Sequence, residues 1–484
     1  MSNQPFIGMD PEEFRKYGKE VVDWIADYLK NTEKYPVFSH VKPGDIKKQL
    51  PATPPASPEK IDAILSDFNK IILPGTTHWN HPGFFAYFAN SASAPGILGE
   101  MLATALNVNG MLWRTSPSAT ELEEVVTDWL RQMLGLPSEF QGVIIDTASV
   151  STLVALTAAR EAIHKQVREG GLSGRADLAR LRLYCSDHTH SSIEKAAIIL
   201  GVGQEGVRKI PVDTEFRMKP NQLAAAIAED KRTGWLPFAV VATVGTTSST
   251  SIDPVPAIAD ICREEKIWLH VDGAYGGMAA IVPEMRSVLD GCDRADSFVT
   301  NPHKWLFTPM DCSVLFTRRI DMLKQAFNLV PEYLKTTDTT VTNYMDWGVQ
   351  LGRRFRALKL WFIIRSFGAD GIISILREHC RLARTFASWV DVDDNFERLA
   401  PVPLSVVCFR YHPKGISDEG KLEQLNAQII DRINITGEAF LSHTKLNSRY
   451  AIRLAIGNIA TAEKHVARVW ELIKAEVHEM HKGD

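Results

Sequence analysis

Paired cysteines, a basic excess and long apolar runs are all missing from this sequence. The six cysteines stand far apart, at positions 185, 262, 292, 312, 380 and 408, and none forms a Cys-x-x-Cys pair. That spacing reads as reduced core thiols and argues against a disulfide frame or a zinc site. A formal net charge of -4 argues against a nucleic-acid-binding surface. No apolar run is long enough to span a bilayer. The first residues, MSNQPFIGMDPEEF, carry neither a basic n-region nor an apolar h-region, so they do not read as a signal peptide. An Asn-Ile-Thr triplet at 434–436 carries little weight without a secretion signal. The expectation is a soluble cytoplasmic protein. What is present is average for a globular chain, 45% hydrophobic and 23% charged. Its 484 residues exceed what one core serves, so two or three domains are expected.

Three regions differ in pattern. In residues 1–85, Asp10-Pro11-Glu12-Glu13 reads as a helix start, and Phe14, Tyr17, Val21, Ile25 and Tyr28 recur at helical spacing. A proline-rich arm, LPATPPASPEK, precedes a second amphipathic helix predicted to start at Ser57-Pro58-Glu59 and to carry Ile61, Ile64, Leu65 and Phe68. Two such helices on a stiff arm do not easily bury both apolar faces on each other. The expectation is that they pack on the body of the chain or on a partner subunit. Residues 86–350 alternate short β-type runs (GVIID, LRLYCS, FAVVATV, IWLHVD, CSVLFT) with helical stretches, which predicts an α/β fold with a mostly parallel sheet covered on both faces. Residues 351–484 read as a smaller α+β domain, with a helical region at 353–392, β-type runs PLSVVCFRY and YAIRLAIG, and a final helix from Thr461.

In parallel sheets ligands bind beyond the carboxyl ends of the strands, so the residues after each run carry most of the information. Thr147-Ala148-Ser149 open a helix with small and hydroxyl side chains, a phosphate-site pattern that an ordinary N-cap also explains. His188 and His190 have H-x-H spacing, but no acid or cysteine cluster completes a zinc site. An imidazole beside a ligand ring and a plain surface histidine both remain open. Thr246 lies in a hydroxyl-rich loop, GTTSST, which is also adequate as a polar loop. Asp272 closes an apolar strand, where a carboxylate is costly unless a cation or donor faces it. Gly273 and Ala274 then allow close approach of a flat ligand. The run SFVTNPHKW adds Asn301, His303 and Lys304. A snorkelling lysine is one reading of Lys304; a buried amine that loses its proton and attacks a carbonyl is another. Together, a phosphate cradle, an imidazole, an acid and an amine on one edge of a sheet are what a pyridoxal phosphate site requires. No strand-like run is followed by G-x-G-x-x-G, which disfavours a dinucleotide.

The stretches NPHKW, HVDGAYGG, DHTHSS, TVGTTSSTSIDP, HPGFFAYF, RTSPSATELE and LGRRFRALKLWF resemble those of the group II pyridoxal-phosphate decarboxylases, most of all the aromatic-L-amino-acid decarboxylases, and the resemblance runs from about residue 10 to 475 with the motifs in the family's order. The resemblance implies an aspartate-aminotransferase-type fold and a homodimer with the active site at or near the subunit interface, the N-terminal arm wrapping the partner. Carried over by position, it implies Lys304 as the Schiff-base lysine, Asp272 as the acid at the pyridine nitrogen, Ala274 under the ring and His190 stacked on its other face. Thr147, Ala148, Ser149 and Asn301 fall on phosphate positions, His303 beside them, and Thr246 near cofactor and substrate carboxylate. Tyr333, in the polar stretch LVPEYLKTTDTTVTNY, matches the lid tyrosine that supplies a proton in family decarboxylases.

The same resemblance places Trp79, Tyr87, Phe88, Met111 and Gly352 at substrate-pocket positions, Met111 from the neighbouring subunit. An aromatic side chain is implied: tryptophan, 5-hydroxytryptophan, dopa, tyrosine or phenylalanine. Ala89, Asn90 and Met111 depart from common family residues, while Gly352 matches the glycine of relatives that take indolic substrates. Because Tyr333 and His190 are both present, decarboxylation to an arylalkylamine and carbon dioxide is expected. An aromatic aldehyde synthase is the alternative, and a non-catalytic binding protein of this fold is the rival from another class.

Overall fold

The computed structural model describes residues 8–164, 167–329 and 341–482. Its centre is a seven-stranded sheet formed by β1 (Gln141–Ile145), β2 (Arg180–Ser186), β3 (Val207–Ile210), β4 (Trp235–Thr243), β5 (Trp268–Asp272), β6 (Ser297–Thr300) and β7 (Ser313–Thr317), in the order β1-β7-β6-β5-β4-β2-β3. The strands from β3 to β6 are parallel, and β7 runs antiparallel to both of its neighbours. The expectation of a mostly parallel sheet holds, with one reversed strand.

Side-chain alternation builds two cores from one sheet. Ile144, Tyr184, Val240, Leu269, Val271, Phe298 and Val314 belong to a cluster on one face. Their neighbours Val143, Leu183, Val241, Trp268 and Leu315 belong to a second cluster on the other face, with Val154, Ala155 and Ala158 from the helix Ala148–Ile163. Helices therefore cover both faces, which is why the strands read as continuous apolar runs.

A four-stranded antiparallel sheet follows, β8 (Phe396–Arg398), β9 (Val406–Tyr411), β10 (Ser442–Leu446) and β11 (Arg449–Ala455), in the order β10-β11-β9-β8. The helical region before it runs Ala357–Val392, with non-helical backbone at Gly368 (φ 60°). It crosses the helix Ala94–Leu106 closely, since a Cβ on Gly99 would lie 2.7 Å from the Lys359 Cα. Four strands went unread in the sequence. Val207–Ile210 and Phe396–Arg398 are short, Ser297–Thr300 merges into the NPHKW stretch, and Ser442–Leu446 is a polar edge strand.

The first N-terminal helix, Pro11–Asn31, begins as expected, with Asp10 Oδ1 accepting from the Glu12 and Glu13 N–H groups. The second starts at Ile61, not at Ser57. The two helices also meet each other more than expected: the Tyr17 hydroxyl donates to Asp62 at 2.9 Å, Trp24 Nε1 donates to Asn69 at 3.1 Å, and Trp24 lies edge-on to Phe68. Phe14, Val21, Val22, Ile64 and Ile72 nevertheless stay exposed. All six cysteines are free and buried. Among the described residues no helix is long and apolar enough to cross a membrane.

Candidate active site

The register places the carboxyl ends of β1, β2, β4, β5 and β6 on one edge of the large sheet. The loops leaving that edge carry Thr147, His190, Thr246, Asp272 and Asn301 to Lys304.

Asp272 ends β5 and is buried. Its Oδ1 accepts from the Ala274 N–H at 3.0 Å, while Oδ2 takes no hydrogen bond among the described residues. Lys304 sits in the turn after β6, its own N–H donating to the Asn301 carbonyl at 2.9 Å. Its Nζ lies 5.1 Å from the centre of the Phe88 ring and has no carboxylate at ion-pair distance among the described residues. Burial pushes the amine below the ordinary lysine range; Asp272 opposes this and Arg453 adds to it. His190 is held below the ordinary histidine range by burial, with Asp272 opposing and Lys304 and Lys195 adding. Acid, amine and imidazole thus share one electrostatic neighbourhood.

Thr147 is the N-cap of the helix Ala148–Ile163. Its carbonyl accepts from Val150 and Ser151, while the N–H groups of Ala148 and Ser149 have no partner among the described residues and are free for an anion. Asn301 donates its N–H to the Ala274 carbonyl at 3.1 Å, and its buried Oδ1 has no partner among the described residues. His303 accepts the Cys312 N–H on Nδ1 at 3.0 Å, and burial, with Lys304 adding, pushes it to about 3, so it is a neutral ring protonated on Nε2.

The polarity of Thr246 is fixed by a buried hydroxyl chain. The Ser251 hydroxyl donates to the Glu215 carbonyl at 2.7 Å, Ser249 bonds to Ser251 at 2.8 Å, and Thr246 bonds to Ser249 at 3.2 Å. A carbonyl only accepts, so every proton in the chain points away from Thr246. Thr246 Oγ1, which also accepts the Ser251 N–H at 3.0 Å, therefore keeps one lone pair and no free O–H.

Phe88 stacks on Tyr275 (centroids 3.8 Å apart), and Tyr275 stacks on Trp305 at 4.6 Å. The exposed Tyr87 and Trp79 stack on each other at 6.1 Å on the outer side. Sequence reasoning missed Arg453, on β11. This buried guanidinium sits 4.6 Å above Phe88, donates to the Ser248 and Tyr87 carbonyls, and leaves Nη2 buried without a partner among the described residues. No acid faces it among the described residues. A lone arginine inside the run YAIRLAIG was the available signal, by the same reasoning that singled out Asp272.

Other candidates are not drawn in. His188 lies edge-on to Phe216 and has a packing role. Met111 and Gly352 belong to adjoining loops, where Met345 N–H donates to the Met111 carbonyl and Arg353 N–H to Asn109 Oδ1. None of these contacts ties those loops to Lys304. Tyr333 lies outside the described residues.

The open Asp272 Oδ2, the orphaned Asn301 Oδ1 and Arg453 Nη2, the free N–H pair and the uncompensated Lys304 amine converge at one edge. Burial leaves such groups costly without partners. The set fits an aldehyde cofactor that carries a ring nitrogen and a phosphate, so fold and site together define a lysine-anchored pyridoxal-type enzyme.

Comparison with known proteins agrees. The family described as pyridoxal-dependent decarboxylase conserved domain matches residues 43–412, and the chain belongs to that family. It is 42% identical over 487 residues to tyrosine decarboxylase 3 of Petroselinum crispum, covering 98% of this chain and 93% of that one. It is 43% identical over 479 residues to phenylacetaldehyde synthase of Arabidopsis thaliana, covering 97% and 96%. The crystal structure of Oryza sativa TDC with PLP and tryptamine superposes with a TM-score of 0.94 at 39% identity, covering 99% and 100%.

Proposed function

We propose that the chain converts an aromatic L-amino acid to the arylalkylamine and carbon dioxide, with pyridoxal phosphate held at Lys304. The observation that carries this reading is Lys304 itself, a lysine with burial pushing its amine toward the neutral form, no acid paired to it, and Asp272 close enough to act on its charge. Bound there, pyridoxal phosphate supplies an electron sink for the pair left behind when a carboxylate departs.

The protein's own residues do the rest. Asp272 Oδ2 holds a proton at the ring nitrogen, which keeps that ring cationic as charge develops. The Ala148 and Ser149 N–H groups, with Asn301 and His303 beside them, hold the phosphate. Ala274 and His190 enclose the ring. Thr246, presenting only a lone pair, accepts from an N–H or O–H rather than binding a carboxylate. Arg453 Nη2 is the donor left for the substrate's carboxylate. Trp79, Tyr87 and Phe88 form the aromatic wall that receives the side chain, and we assign Tyr333 the proton delivered to the substrate carbon.

We also propose a cytoplasmic homodimer, in which Met111 and Gly352 serve the neighbouring site. The support is an exposed stripe of Leu98, Met101, Leu102 and Leu106 at helical spacing, continuous in kind with the exposed apolar residues of the N-terminal helices. We assign residues 1–85 to a partner-wrapping arm, 86–350 to the cofactor-binding domain and 351–484 to the small domain.

The second reading, aldehyde synthesis, is favoured by the 43% identity to a phenylacetaldehyde synthase. A panel of aromatic amino acids with amine, aldehyde, peroxide and carbon dioxide each quantified separates the two. Borohydride reduction of the yellow protein followed by peptide mapping should place the label on Lys304. A protein that stays colourless with added cofactor and releases no carbon dioxide refutes both readings.

A further inference from the structure

His190 is approached on one side by the first turn of the helix Ser192–Ile199. Two donors of the same residue reach its Nδ1: the Ser192 N–H at 3.2 Å and the Ser192 hydroxyl at 2.9 Å. A backbone N–H can only donate, so Nδ1 must be the unprotonated, accepting nitrogen. The hydroxyl is then oriented as a second donor to the same lone pair. The ring proton is left on Nε2, the nitrogen with no hydrogen bond among the described residues. Ser192 is buried, so water does not readily take its place.

We propose that Ser192 is a positioning residue that locks His190 as the neutral Nε2–H tautomer, so that this imidazole meets cofactor and substrate as a hydrogen-bond donor. The idea rests on the reaction proposed above for its consequence, though not for its geometry. Charging the ring would place a second proton on Nδ1, pointing at the Ser192 N–H. The groups that act on the ring from other elements are Asp272 at the end of β5, Lys304 after β6 and Lys195 in the helix Ser192–Ile199. Only Asp272 favours the imidazolium. Burial, both lysines and the Ser192 donors oppose it, so the ring enters the cycle neutral and with a defined polarity.

The test uses holoenzyme labelled with 15N-histidine, with the His190 signal identified by its loss in His190→Asn. The wild type should show the Nε2–H pattern at neutral pH. Ser192→Ala keeps the backbone donor and loses the hydroxyl. With only the longer 3.2 Å donor left, it should keep Nε2–H as the main form but admit a measurable Nδ1–H population, lower kcat/KM by about fivefold to tenfold, as expected for one hydrogen bond of ordinary net strength, and move the acid limb of the pH profile to higher pH. Ser192→Thr retains a hydroxyl and should restore the wild-type pattern. A wild-type His190 protonated on Nδ1, or doubly protonated at neutral pH, overturns the proposal whatever the variants do. So does a Ser192→Ala enzyme with an unchanged tautomer and pH profile, or a Ser192→Thr enzyme as impaired as Ser192→Ala with the tautomer intact, which would mark a helix-start packing role. The expected tautomer in a wild type that releases no carbon dioxide from any aromatic amino acid would refute the reaction and leave the lock standing.

Discussion

Replacing Asp272 by Asn changes charge with little change in shape. The Asn Oδ1 can still accept the Ala274 N–H that Asp272 Oδ1 accepts at 3.0 Å, so the strand end should hold. What disappears is the negative charge on the oxygen that has no partner among the described residues. A hydrogen bond to a charged group contributes about 1.5–3 kcal/mol against about 1 kcal/mol for a neutral one. Cofactor affinity should therefore fall by roughly 1–2 kcal/mol, or about fivefold to thirtyfold. The effect on turnover should be larger, because the charge is needed most when electrons reach the ring. Removing one preorganised electrostatic group commonly costs about 3–4 kcal/mol, or about 10²–10³ in kcat. The assay is carbon dioxide release at saturating cofactor, with cofactor titrated separately by absorbance and folding checked by thermal unfolding. Asp272 favours the charged forms of Lys304 and His190, so both should titrate lower in the variant. A folded, cofactor-saturated Asp272→Asn enzyme with kcat within about fivefold of wild type would refute the assignment.

Three further outcomes are expected. Glu123 Oε1 accepts from Arg353 Nη2 at 2.5 Å and from the Ile144 N–H at 2.8 Å, all buried, so Glu123→Gln leaves the buried guanidinium with only the Gly110 and Ile144 carbonyls and no counter-charge, and should destabilise the fold by about 3–5 kcal/mol in denaturant titration. The folded-state pKa of Lys304 is depressed, so the unfolded chain binds more protons and apoprotein stability should fall as pH drops below the ordinary lysine value of 10.5; Lys304→Met should remove that slope and give a more stable apoprotein at neutral pH, measured by paired thermal unfolding across pH. Tyr333→Phe should divert product from amine and carbon dioxide alone toward aldehyde, ammonia and peroxide under air, whereas an unchanged amine yield removes Tyr333 from the proton delivery.

The strands of the large sheet were legible because burial on both faces leaves continuous apolar runs, and the residues after those runs could be read as one edge. The reversal of β7 was not, since CSVLFT looks the same in either direction. Ser442–Leu446 escaped because an edge strand with one wet face carries little apolar signal. In the site, Lys304 and Asp272 stood out as charges against apolar neighbours in the chain. Arg453 carried a signal of the same kind that went unread, and the Ser249–Ser251 hydroxyls take their direction from the Glu215 carbonyl, 36 residues away, which nothing local marks. The domain limits rest on changes of pattern, and contacts such as Phe84 with Phe440 show how far apart in sequence touching segments lie.

Arg453 reaches Phe88 only when β11 pairs with β9, where it faces Cys408. The candidate site therefore draws on nearly the whole chain, from Trp79 to Arg453, and no shorter N-terminal portion emerging from a ribosome encloses it. Substrate capture must follow synthesis of the last strand. Before that point a growing chain would hold Lys304 and the helix N-terminus without the arginine left for the substrate's carboxylate, and pyridoxal phosphate would stabilise the chain only once those elements had folded. In a cell short of the cofactor, the penalty should fall on the lifetime of completed apoprotein rather than on the rate at which chains are made.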